Sequence, residues 1–508
     1  MSDTPSAPDQ TGRRSLEITI DPCWRDHRFK GQAVLPAVAA MALLAGEVRR
    51  YFTAHPLSAL ISATFDKFLP LPPQAGTIRA QCEILSSADG SLIAALATRN
   101  PVGKSSMVRV KTHARITFAA QQQAPAPRPV DIAAALEGQA WEISPREIYR
   151  EWVPFGPAYR NIVAPLRLSA DGALAMIQAP AQGPAHPPLP PLGSPYPLDA
   201  ALHAACCWGR HFTGITAFPV GFAARHILRP THPRETYWGR VYPLEQKGEV
   251  LAFDIELYDE QGRLCEALQK VAMRRVGSAP EITAQSPASP ASDLPLKNIR
   301  SRCDQLVLME LDSMAPFAPR ALSPEENRRF QQMGKRRQRS YVGARLACKR
   351  LARRLSPGND TRGARAIHTV HGDGLRPVCP PARDRSALDC AVAHDGRYVV
   401  AVAAPNRCGI DVEPLGLRAL KSARLYMSSR ERALVDANNT DSAATALRIW
   451  SVKEAVAKAL NINLAQAWSG VELQSATPQA SQFRLDDGAE HTARHDTLEG
   501  HLFTLVEI

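Results

Sequence analysis

The sequence predicts an α+β protein, with helices laid against sheets of long strands. One apolar helix, Pro36 to Phe52, precedes a series of strand-like segments, and the same order recurs around a second apolar helix, Leu198 to Phe212. The recurrence reads as an internal duplication. Gly277 to Pro295 is rich in Pro, Ala and Ser and holds almost no large apolar side chains, so it reads as a flexible linker. The expected plan is a first half over 15–120, a second half over 130–276, a linker over 277–299 and a separate unit over 300–508. That last unit is long enough for its own core.

The elements follow in order. Leu16–Ile20 alternates as a strand, and further strands are expected near Ala59–Phe68, Thr77–Leu85, Leu92–Thr98 and Ser106–Phe118. Gln121–Pro129 is a Gln/Ala/Pro connector. The second half opens with a short helix, Pro145–Trp152, and a strand, Gly172–Gln178. Strands follow its long helix near Arg225–Leu228, Glu235–Tyr242, Val250–Tyr258 and Leu264–Val276, with a hairpin turn at Asp259–Gly262. In the last unit, Pro324–Leu355 reads as helical and basic. One strand ends at His394, and two more, Tyr398–Ala403 and Cys408–Val412, flank a turn at Pro405–Arg407. Ser428–Ala437 is a helix with Ser428 as cap and Glu431 three residues on. Thr445–Asn461 is the next helix. Short strands near Val471–Leu473, Phe483–Leu485 and His501–Val506 close the chain.

Hydrophobic residues make up 45% and charged residues 22%, an ordinary globular balance. No apolar run reaches the roughly 18 residues of a membrane span, and Met1–Arg14 lacks the apolar core of a signal peptide. A cytoplasmic protein with no membrane partner is expected. The ten cysteines show no CxxC pairs and no zinc spacing, so reduced thiols are expected, buried at Cys206-Cys207. Net charge is +12, much of it over Arg328–Arg354. Such a run fits a solvated helix face, a nucleic-acid site, or a site for a polyanionic small molecule or acidic protein. No nucleic-acid motif accompanies it, so nucleic acid is not an expected partner.

Two constellations carry chemistry. In Gly409-Ile410-Asp411-Val412-Glu413 the carboxylates stand two apart, on one face of a strand, with Ile410 and Val412 toward the core. Paired hard oxygens suit Mg²⁺, which shares its shell with substrate phosphate. On the helix through Trp450-Ser451-Val452-Lys453-Glu454-Ala455-Val456-Ala457-Lys458, residues Trp450, Lys453, Glu454, Ala457 and Lys458 share a face. Glu454 alone would be a surface Glu–Lys pair. With Asp411 and Glu413 it offers a third metal oxygen.

These two motifs resemble the signature pair of the 4′-phosphopantetheinyl transferases of the surfactin-synthetase-activating type, over roughly 300–508. The resemblance implies a pseudo-duplicated α+β domain that moves 4′-phosphopantetheine from coenzyme A to a carrier-protein serine with Mg²⁺, a holo-acyl-carrier-protein synthase activity. It implies Asp411, Glu413 and Glu454 as metal ligands. Glu454 or a metal-bound water would take the serine proton, and Lys458 would neutralise the leaving phosphate. Lys335, Arg336 or Arg337, with Arg376 and His394, would bind the coenzyme A phosphates. Two positions depart from the family pattern: Ala393 stands where a Ser is usual, and Leu375-Arg376 replaces Gly-Lys. The first removes a hydroxyl and the second keeps the cation.

The other constellation lies in the first 276 residues. His27, Gly31 and Pro36 place a histidine just ahead of the first apolar helix, and Asp199 and His203 share a face at the head of the second. A histidine from one half and a carboxylate from the other form a general base and acid. Trp24-Arg25-Asp26-His27, Phe155-Gly156-Pro157-Ala158-Tyr159 and Leu198-Asp199-Ala200-Ala201-Leu202-His203 resemble, in order, the motifs of the polyketide synthase dehydratase, a double hot-dog fold, over about 15–275. The resemblance implies loss of water from a β-hydroxyacyl-carrier thioester. His27 would remove the α-proton, and a protonated Asp199, oriented by His203, would protonate the leaving hydroxyl. Tyr159 stands where Phe is common in the family. The same fold hosts product-template cyclases and double-bond isomerases, and a non-catalytic carrier-docking domain is a further alternative.

A bifunctional polyketide or fatty-acid biosynthesis enzyme, both transferase and lyase, is therefore expected. Its partners would be coenzyme A and an acyl carrier protein or carrier domain. An acidic carrier suits a basic chain. Dehydratase double hot dogs often pair, which makes a homodimer a further expectation.

Overall fold

The computed structural model describes residues 12–101, 108–121, 135–180, 190–275, 295–303, 305–311, 318–356, 363–370, 377, 379, 388–438 and 441–508. They fold as two compact units. One is drawn from Met1–Pro127 and Trp141–Pro287, the other from Arg128–Ala140 and Ala288–Ile508.

The first unit is built twice. Strand β1 (Gly12–Thr19), helix α1 (Ala37–Tyr51) and strands β2 (Ala59–Thr64), β3 (Thr77–Ser86), β4 (Leu92–Pro101) and β5 (Val108–Phe118) form its first half. In the second half, two short strands, β6 (Trp141–Ile143) and β7 (Leu166–Ser169), precede β8 (Gly172–Gln178). Helix α2 (Tyr196–Thr213) and strands β9 (Ala217–Ile227), β10 (Thr236–Lys247), β11 (Val250–Asp259) and β12 (Leu264–Arg275) follow. One 12-stranded sheet runs β1-β3-β4-β5-β2-β9-β12-β11-β10-β8-β7-β6, so the second half repeats the order of the first in mirror image. The halves join where β2 pairs antiparallel with β9, Leu60 opposite Arg225.

Alternation explains the sheet, as on β3, where Ala80, Cys82 and Ile84 turn inward while Thr77 and Arg79 are exposed. Helix α1 buries Val38, Met41, Ala45 and Val48, the spacing of one helical face. Its Leu44 and Val48 are fully buried, worth about 1.5–3 kcal/mol each relative to exposure. Helix α2 is buried from Tyr196 to Gly209, as suits a helix wrapped by its sheet. Trp152 ends a π-helical turn, Ile148–Trp152, that follows a single turn of α-helix at Pro145–Glu147.

In the second unit, β13 (Leu306–Glu310), β15 (Tyr398–Ala404) and β14 (Asp389–His394) form a sheet in the order β13-β15-β14. The five-stranded sheet runs β16 (Cys408–Pro414), β20 (His501–Glu507), β19 (Glu490–Leu498), β18 (Ala480–Leu485) and β17 (Val471–Ala476). The basic segment is two helices, α3 (Pro324–Gln331) and α4 (Lys335–Leu355), broken around Gly334. Helices α5 (Ser429–Ala437), α6 (Ser442–Leu460) and α7 (Leu464–Gly470) complete the unit. The Ser428–Glu431 capping box forms as expected.

The connection between the two halves of the first unit differs from expectation. A second half starting at 130 does not hold, because residues 135–140 belong to the second unit. Ala135 is fully buried in the core of Val307, Met309 and α4. The Gly138 N–H donates to the Leu308 carbonyl at 2.8 Å, along β13, an edge strand. Glu137 accepts from Arg350 at 3.1 Å and Arg354 at 2.6 Å, and Arg350 also donates to the Ala135 carbonyl. Part of the basic run is consumed this way, and Lys349 is buried on Glu326 at 2.6 Å. Residues 122–129 of the connector and 277–294 of the expected linker, 277–299, lie outside the described residues. The linker's last residues are not free chain, because Leu296 and Ile299 are buried in a core of the second unit and Lys297–Arg300 is helical. Among the described residues, no helix is long and apolar enough to cross a membrane.

Candidate active sites

In the first unit, the site is assembled by a chain of local constraints. Asp21 caps a 3-10 turn, Pro22–Asp26, through the Cys23 N–H, and Pro22 pre-sets its first φ. His27 ends that turn. The tight hairpin after it turns on Lys30 and Gly31, both at positive φ (47° and 80°), which Gly31 adopts without strain. The hairpin returns Val34 to donate to the His27 carbonyl at 3.0 Å. Asp26 then clamps the second motif: its carboxylate accepts from the Ala158 N–H at 2.9 Å and its carbonyl from the Gly156 N–H at 2.8 Å. A Cβ at Gly156 would lie 2.3 Å from that carboxylate, so only glycine lets the two loops meet. The clamp sets the Phe155 ring 4.3 Å from His27 and 5.0 Å from His203.

Asp199 and His203 sit in the first turns of α2, facing His27 across a cavity of about 230 Å³. His203 Nε2 lies 2.9 Å from Asp199 Oδ2, but the approach is too bent for a hydrogen bond, and both atoms lack hydrogen-bond partners. His27 Nδ1 is likewise buried without one. Buried polar atoms left unpaired are rare and costly. Three such groups converging on an apolar cavity mark a place for a polar ligand group. Burial pushes the His27 imidazole down to about 4, against the raising pull of Asp199. It is therefore neutral at pH 7, as a base must be. Cys206 also lines the cavity, three residues beyond His203 on the same helix face, and that spacing could have found it.

In the second unit, Asp411 and Glu413 lie on β16 and Glu454 on α6. One carboxylate oxygen from each falls within 4.8 Å of the others. Lys458 Nζ donates to Asp411 Oδ1 at 2.7 Å and stands 4.0 Å from Glu454. The Trp450 indole donates to Glu413 at 3.3 Å. Burial first, and then Asp411, pushes the Glu454 carboxyl up to about 7; Glu413 is raised by the same two causes. Three crowded carboxylates facing Lys458 hold an excess of negative charge, and hard oxygens in that excess suit a divalent cation such as Mg²⁺.

Glu454 and Lys458 line a cavity of about 570 Å³ with Arg329, Tyr341 and Arg345. Lys335, Arg336 and Arg337 do not line it. They are exposed on the first turn of α4, and the helix instead presents Tyr341 and Arg345, one and two turns further on. The i,i+4 spacing of Tyr341 and Arg345 was the available signal. His394 ends β14 as an exposed residue, and the protein packed beside it, then Lys458, lower its pKa. Arg376 lies outside the described residues. Lys453 departs from the shared face: it is fully buried and donates to the Tyr426 carbonyl, Glu431 and the Trp468 carbonyl, tying α5 and α7 to α6.

Comparisons with known proteins match one segment in each unit. Residues 407–506 match the family model of the 4′-phosphopantetheinyl transferase superfamily. Residues 126–282 match that of the polyketide synthase dehydratase N-terminal domain. Similar solved structures include a trans-AT PKS dehydratase domain from Brevibacillus brevis (19% identity, TM-score 0.43, 54% of this chain and 96% of that one). The dehydratase domain of the polyketide PpsC from Mycobacterium tuberculosis is another (22%, TM-score 0.41, 53% and 96%). A third is the dehydratase domain of RzxB from Pseudomonas fluorescens (18%, TM-score 0.41, 53% and 96%). No curated protein matches the chain. The chain is thus an enzyme that joins a polyketide synthase dehydratase segment, in a hot-dog fold, to a 4′-phosphopantetheinyl transferase segment.

Proposed function

We propose that the second unit transfers 4′-phosphopantetheine from coenzyme A to a serine of an acyl carrier protein, and that the first unit dehydrates β-hydroxyacyl groups carried on the resulting arm. The observation that carries the transferase reading is the three-carboxylate cluster, whose Glu454 lines a cavity together with Arg329, Arg345 and Lys458. Asp411, Glu413 and Glu454 would hold Mg²⁺, which when bound neutralises charge on the pyrophosphate. Arg329 and Arg345 would grip the coenzyme A phosphates. Glu454 accepts the carrier serine proton as the serine oxygen attacks phosphorus. Lys458 balances charge on the departing 3′,5′-ADP.

In the first unit, His27 takes the α-proton and Asp199 gives its proton to the β-hydroxyl, which leaves as water. His203 holds Asp199 toward the cavity. Both substrates are met in the cytoplasm, where the protein would work, and a dimer through the hot-dog unit would suit it.

Mass spectrometry of an apo carrier incubated with coenzyme A and Mg²⁺ tests the transferase. Modification is expected, and unmodified carriers across a broad panel would overturn it. Conversion of a synthetic β-hydroxyacyl-pantetheine to the enoyl thioester tests the dehydratase. A product lost in His27→Ala is expected. No product from the intact protein would leave the first unit a carrier-docking domain.

A further inference from the structure

Behind Asp411 runs a row of polar side chains with no role in the reaction above. Ser451 Oγ lies 2.8 Å from Asp411 Oδ2 and 2.8 Å from Thr504 Oγ1. Thr504 Oγ1 lies 3.0 Å from His495 Nδ1, and His495 Nε2 lies 2.8 Å from Ser481 Oγ. The row crosses the sheet from β18 through β19 and β20 to β16: His495 is the cross-strand partner of Thr504, and Thr504 that of Asp411. Ser451 reaches down to it from α6. None of the five residues is more than 2% exposed.

Proton counting gives the row one direction. A hydroxyl donates once, and a carboxylate accepts only. Ser451 therefore gives its proton to Asp411 and must accept from Thr504. Thr504, having given its proton, must accept from His495 Nδ1–H. The remaining lone pair of His495, on Nε2, takes the proton of Ser481. Burial, and after it Arg448, pushes the imidazole down to about 3, so it carries the single ring proton this scheme requires. Asp411 Oδ2 is committed to Ser451, while Oδ1 faces Lys458.

We infer that the row Ser481–His495–Thr504–Ser451 is a positioning device for the divalent-cation site: it locks the carboxylate rotamer of Asp411 so that one oxygen is always presented to the cation. This rests on the metal-site reading of Asp411, Glu413 and Glu454. Outer partners of metal ligands commonly contribute about 10–100-fold in metal affinity. Thr504→Val keeps the shape of the side chain and breaks the row at its centre. Thr504→Ser keeps the hydroxyl.

The test is direct titration of the full-length protein with Mn²⁺, without coenzyme A, read by the electron paramagnetic resonance signal of free Mn²⁺. The Mg²⁺ concentration for half-maximal carrier modification is measured in parallel. Thr504→Val is expected to weaken Mn²⁺ binding about 10-fold or more, and to raise the Mg²⁺ requirement while leaving KM for coenzyme A and the rate at saturating Mg²⁺ near wild type. Thr504→Ser is expected to bind as the wild type does. Equal Mn²⁺ binding by wild type and Thr504→Val would overturn the inference and leave the metal site standing. Absence of binding by the wild type would overturn the metal site, and the inference with it. Should Thr504→Val not fold, Ser481→Ala, at the far end of the row, decides: unchanged affinity there would overturn the inference.

Discussion

Gly409 lies so close beneath Ala455 that a Cβ at 409 would come within 1.9 Å of the Ala455 carbonyl oxygen. That approach lets α6 settle onto β16 and brings Glu454 and Lys458 to Asp411. Gly409→Ala must push the helix off the strand. A destabilisation of about 1–3 kcal/mol is expected, together with a loss of carrier modification larger than the lost folded fraction. Thermal melting and mass spectrometry on the same sample check it.

Glu454→Gln keeps the size of the side chain and removes both a metal oxygen and the base. Carrier modification is expected to fall at least about 100-fold, with folding intact, and a chelator is expected to stop the wild type. A Glu454→Gln protein with near-normal rates would place the chemistry elsewhere.

The dehydration rate should carry the mark of His27. Its pKa is depressed to about 4, and the base acts only when neutral. kcat/KM on a soluble β-hydroxyacyl thioester is therefore expected to hold its plateau as pH falls through 6.5 and to drop only near pH 4. The same shift works against folding in acid. The unfolded chain binds that proton at about 6.5, so stability should decline as pH falls from there. An acid limb at 6.5 would show that His27 is not the base, or not buried in the working enzyme.

Glu137, between the halves of the first unit in sequence, should matter to the second. It accepts from Arg350 and Arg354 and is itself mostly buried. Glu137→Ala takes the carboxylate from two guanidinium groups, one of them largely buried, which keep carbonyl partners such as Ala135 and Leu306. About 1–3 kcal/mol of stability is expected to be lost, read as a lower melting transition of the transferase unit. An unchanged transition would make the contact incidental.

Much of this was legible because it was local. The helix through Trp450–Lys458, the two carboxylates on β16 and the paired halves of the first unit all follow from periodicity and spacing. What stayed hidden depends on distant partners. Lys453 reads as a surface cation until Tyr426, Glu431 and Trp468 close around it. Lys335, Arg336 and Arg337 look like the phosphate grip by charge, yet the cations that line the cavity are Arg329, Lys458 and Arg345, the last held on the Thr369 carbonyl at 2.6 Å. Strands β13 and β19 and helix α7 are short or weakly alternating. Residues 135–140 carry no signal of their own, because their fold is dictated by β13, far along the chain.

That last dependence has a consequence for synthesis. Gly138 bonds Leu308, but a ribosome working at roughly 5–20 residues per second delivers Leu308 about 10–30 seconds later. Through that interval the segment has no β13 to pair with. The transferase unit takes in a piece of chain made long before the rest of it. A gene cut at the apparent linker would yield a transferase without that piece, and two proteins expressed from such a cut would meet with it on the wrong one.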